Sequence, residues 1–163
     1  MWPFRKKISA DEYKLKGQSF ELTQEEQQAV ARAFEMFEGV AVLKEYADAV
    51  QRMTAARALV EYAQEKILDS ERELQTTVRS KLIEKALVAC FKACNIYPLP
   101  IFDYDLACLM EMAGKPHESK GMFEKFLTWQ ITFKPTQIDE AYLKQRDVEQ
   151  AIVEARQKLA VLR

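Results

Sequence analysis

The stretch Ile101-Phe-Asp-Tyr-Asp-Leu-Ala-Cys-Leu-Met-Glu-Met-Ala113 constrains the fold more than any other part of the chain. A helix drawn through it carries Phe102, Leu106, Leu109, Met110 and Ala113 on one side and Ile101, Tyr104, Cys108 and Met112 on another. It is apolar nearly all round, so it must be covered from two directions and is an inner element. Gly114 supplies the left-handed stop expected just past a helix end, and Pro116 suits the first turn of a following helix that runs to about Trp129. Upstream, Leu82 to Tyr97 reads as a helix that stops at Pro98-Leu-Pro100, where two prolines forbid simple continuation.

Within this unit Leu106-Ala107, Gly114, Phe123 and Glu124-Lys125 fall close to a spacing that resembles the tetratricopeptide repeat, two antiparallel helices in about 34 residues. Ala86, Ala93 and Pro98 look like the second helix and closing proline of a preceding repeat, and Lys92 and Lys125 are the main identity between the two. The sequence departs from the repeat at Asp103, where a large aromatic is preferred, and at Ser119 and Phe126, which replace alanines. The resemblance implies helical hairpins stacked in a right-handed superhelix, with a concave groove that receives a peptide or a partner helix. The basic and asparagine side chains with which some such domains clamp a C-terminal carboxylate are missing from the groove stripe.

Local signals divide the rest of the chain. Residues 1–22 show no sustained period and are expected to be an arm; residues 23–163 are expected to form one all-helical domain. Thr23-Gln-Glu-Glu26 is a capping box that opens a helix with Ala29, Val30, Ala33, Phe34 and Phe37 on its apolar face, and Gly39 marks its end or a kink. Leu43, Tyr46, Val50, Met53, Val60 and Ile67 then recur at helical steps if Arg57 and Gln64 join the series, with alanines on the flanks. Ser70-Glu-Arg-Glu73 reads as a second capping box, ending that helix near Asp69 and opening the next. After the break at Phe133-Lys-Pro135, Thr136 caps a last helix. Its heptad-like stripe is Ile138, Ala141, Gln145, Val148, Ile152, Ala155, Leu159 and Leu162. Such a helix is expected to cap the final hairpin, the alternative being pairing with the same helix of a second chain. The expected fold class is thus all-α, about six antiparallel helices with a long C-terminal capping helix. No segment has the alternation of a strand.

The totals restrict function. A chain of 163 residues buries roughly 70% of its unfolded surface without staples. Its 24 basic residues nearly balance 25 acidic ones, so no global field draws it to nucleic acid. No run approaches the roughly 20 apolar residues of a membrane span, and Met1-Trp-Pro-Phe-Arg-Lys-Lys7 reads as a solvated terminus without the apolar core of a signal peptide, so a cytoplasmic location is expected.

Catalytic chemistry finds little to build on. His117 is the single histidine, in the first turn of a helix, and is expected at the surface. Gly17, Gly39, Gly114 and Gly121 are too dispersed for a phosphate loop. Cys90, Cys94 and Cys108 lack the Cys-x-x-Cys spacing of a metal knuckle and are expected to pack as small hydrophobes, with no metal and no cofactor. Asp103 and Asp105 point about 200° apart on one helix and cannot share a proton; a solvated edge and a favourable first-turn charge are their expected roles. The reading is a non-enzymatic adaptor that binds a protein or peptide, with Ile101, Tyr104, Cys108, Glu111 and Met112 as the groove, Tyr104 its anchor and Glu111 facing a basic residue. The alternative is a helical bundle that homodimerises through its heptad-like helices.

Overall fold

Capping residues and prolines decide where the helices begin, and the pairing of apolar faces decides how they stack. The computed structural model describes residues 21–35 and 47–161. Among them seven helices form and no strand: α1 (Gln24–Glu35), α2 (Ala47–Arg72), α3 (Thr76–Ile96), α4 (Pro100–Met112), α5 (Pro116–Thr132), α6 (Gln137–Leu143) and α7 (Val148–Val161). The protein is all-α. The arm's residues 1–20, Phe37, the Gly39 stop, Leu43, Tyr46 and Leu162 lie outside the described residues. No helix among those described is long and apolar enough to cross a membrane.

The Thr23 box is formed as expected: the Thr23 N–H donates to Glu26 Oε1 at 2.8 Å, and the Glu26 N–H donates to Thr23 Oγ1 at 3.2 Å. Thr136 forms the same reciprocal pair with Asp139. Pro100 and Pro116 each occupy a first turn, where a missing N–H costs nothing. Gly114 has φ +73°; the Lys115 N–H reaches the Met110 carbonyl and the Gly114 N–H reaches Glu111, which closes α4 in a Schellman turn.

Two expectations are corrected. Ser70 does not open a helix: its hydroxyl donates back to the Ile67 carbonyl at 2.6 Å inside the last turn of α2, and α3 starts after Gln75 with no side-chain cap. A cap needs the serine oxygen to accept a backbone N–H of the next helix, whereas this buried hydroxyl donates to a carbonyl one turn back in its own helix. The C-terminal segment is two helices instead of one, because the chain turns at 144–147 and Asp147 Oδ1 accepts the Gln150 N–H, capping α7. Gln145 therefore lies in the turn, Ala141 is exposed, and the stripe is not continuous.

α2 and α3 form the most extensive pair, joined by residues 73–75. Ala55, Ala56 and Ala63 of α2 and Ala86, Ala89 and Ala93 of α3 all belong to the buried core, and such small side chains let two backbones approach closely. α4 packs on α3 and, as an inner helix, also on α5 and α7. Phe102, Leu106, Phe123 and Phe126 are buried among them, and the buried Ser119 hydroxyl donates to the Ala107 carbonyl at 2.8 Å across the α4–α5 contact. α1 lies on α2 through Val30, and the buried Glu26–Lys92 ion pair, 2.6 Å, ties it to α3.

Asp103 is not a solvated edge: only 2% of it is exposed, and Oδ2 has the exposed Lys125 ammonium at 3.4 Å with no well-formed hydrogen bond. Burial raises its pKa above the ordinary range despite Lys125. The folded state then binds a proton more readily than the unfolded chain, so this residue makes stability fall as pH rises through the window above about 3.9. Asp103→Asn is expected to be more stable than the parent at pH 7 by about 1 kcal/mol, with the difference vanishing towards pH 3. Urea titrations at both pH values check this, and a difference that grows on acidification would contradict it.

Candidate partner-binding groove

Two short connections, 73–75 and 97–99, each reverse the chain, so α2 and α4 run in the same direction on either side of α3. Both pack on α3 while scarcely touching each other. The space between them is a groove of about 330 Å³ lined by Val60, Ala63, Gln64, Ile67 and Leu68 of α2, Cys90 of α3, and Asp105, Cys108, Leu109 and Met112 of α4. Its floor is buried, as Val60 and Cys90 show, whereas Leu68 is 53% and Met112 45% exposed at the rim. Leu68 and Met112 thus leave large apolar side chains partly in water at the mouth of the groove.

One end of the groove is filled by polar side chains. Arg146 grips Asp105 with two bonds of 2.9 and 2.6 Å and donates to the Tyr142 hydroxyl, while Arg57 donates to Gln145 and Glu61. Asp105, expected at a solvated edge, is thus largely covered and spoken for; its pKa is raised by burial, with Arg146 pulling the other way. Burial also holds the Cys108 thiol up at about 11, and the neighbouring Cys94 together with burial pushes Cys90 well above the usual range. Both are neutral thiols near pH 7, which suits a small apolar wall. No group of three or more His, Cys, Asp and Glu among the described residues could hold a metal ion. His117 is exposed.

The structure divides the five residues singled out in the sequence. Cys108 and Met112 line the groove. Ile101 is buried in the core at 1% exposure. The Tyr104 ring lies against Phe123 and Phe126, its hydroxyl hydrogen-bonds Glu154 of α7, and burial together with Glu154 raises its pKa. Glu111 does face a basic residue, but it is the protein's own Lys158, at 2.8 Å. α7 therefore covers the Tyr104 side of α4, and the open side is the one turned towards α2.

The α2 wall went unrecognised in the sequence because its residues look like one stripe of an ordinary amphipathic helix. Leu68 carried the available signal: it stands outside the Val60–Ile67 series, an extra large apolar residue beside a stripe that is already complete. Compared with protein-family models, with curated proteins and with solved structures, the chain gives no match.

Proposed function

We propose that this chain is a non-enzymatic adaptor of tetratricopeptide-like build, whose groove between α2 and α4 receives a peptide or helix of another protein. The observation that carries the reading is the groove's surface: almost wholly apolar, open at the Leu68 and Met112 end, and bordered by two parallel helices that alternate with α3. Alternating helices of which every second one borders a concave surface are the arrangement expected of helical repeats. The titratable groups nearest the groove are engaged with one another, Asp105 with Arg146 and Glu111 with Lys158, which favours recognition over acid–base chemistry.

Self-association through the C-terminal helices has less in its favour. Ala151 and Ala155 of α7 are buried, Gln145 lies in the turn before it, and only Val153 and Val161 are large apolar residues exposed on that helix.

Selection of displayed random peptides on the full chain tests the adaptor reading. Enriched peptides are expected to share apolar residues at helical spacing and to lose binding at least tenfold on Leu68→Asp. That position is already half in water, so the variant should keep the parent's melting temperature within a few degrees. Peptides that bind the variant as tightly as the parent would exclude the groove as the site.

A further inference from the structure

We draw no further inference here: the strongest candidate, the apolar groove between α2 and α4 with Leu68 and Met112 at its mouth, belongs to the site already described, and nothing in the structure shows what covers it.

Discussion

A chain ending at Pro135 is expected to lose its cooperative thermal transition and to aggregate. The deletion removes Tyr142, buried with its ring 5.5 Å from Phe102, and the half-buried Val148, Ile152 and Leu159 together with the buried Ala151 and Ala155. Full burial of one large apolar side chain is worth about 1.5–3 kcal/mol, so these residues contribute on the order of 5 kcal/mol after discounting the half-buried ones. Taking away Arg146 leaves the covered Asp105 carboxylate without its cation, which adds about 3 kcal/mol. The sum is comparable to a typical stability margin of about 5–15 kcal/mol, and the loss uncovers Tyr104 and one side of α4. Calorimetry with light scattering checks it; a soluble truncated chain with a sharp transition within a few degrees of the parent would show that α6 and α7 are dispensable for folding.

Lys92→Met is expected to destabilise the protein by about 3–5 kcal/mol, the range for stripping one partner from a buried ion pair. The Lys92 ammonium donates to Glu26 Oε1 at 2.6 Å and to the Glu21 carbonyl at 2.8 Å, and the two side chains are only 4% and 2% exposed. Without it the carboxylate remains in an apolar layer with the Thr23 N–H as a donor and no cation. Glu26→Gln combined with Lys92→Met keeps an acceptor for Thr23 and removes both charges, so it is expected to recover most of the loss. Urea denaturation of both variants decides the matter. Equal destabilisation of single and double variants would place the energy in packing around the lysine stem, not in the stranded charge.

The same distinction between a side chain and its eventual neighbour separates what could be read early from what could not. Thr23 with Glu26, Thr136 with Asp139, Pro100, Pro116 and Gly114 all act within a few residues of themselves, so the starts and stops they encode are present in the chain before it folds. Ser70 is the exception among them. Its hydroxyl is both an acceptor for a backbone N–H further along and a donor to the Ile67 carbonyl one turn back, and only the donation is realised. Asp147 carried an equally local signal, hidden because the heptad-like spacing ran across it and appeared to join α6 to α7.

The sequence by itself determined the all-α class, the positions of most helix ends and the inner placement of α4, since each rests on periodicity or on capping chemistry a few bonds away. Tertiary structure alone decided which neighbour covers each face of α4. Periodicity assigns Tyr104, Cys108, Glu111 and Met112 to a stripe, but whether that stripe meets α7, α2 or water depends on groups tens of residues distant, such as Glu154, Lys158 and Leu68. Asp103 and Asp105 were misjudged for the same reason: a carboxylate on a helix is written identically whether it meets solvent or a buried layer, and the cations that accompany it, Lys125 and Arg146, arrive only when the chain has folded.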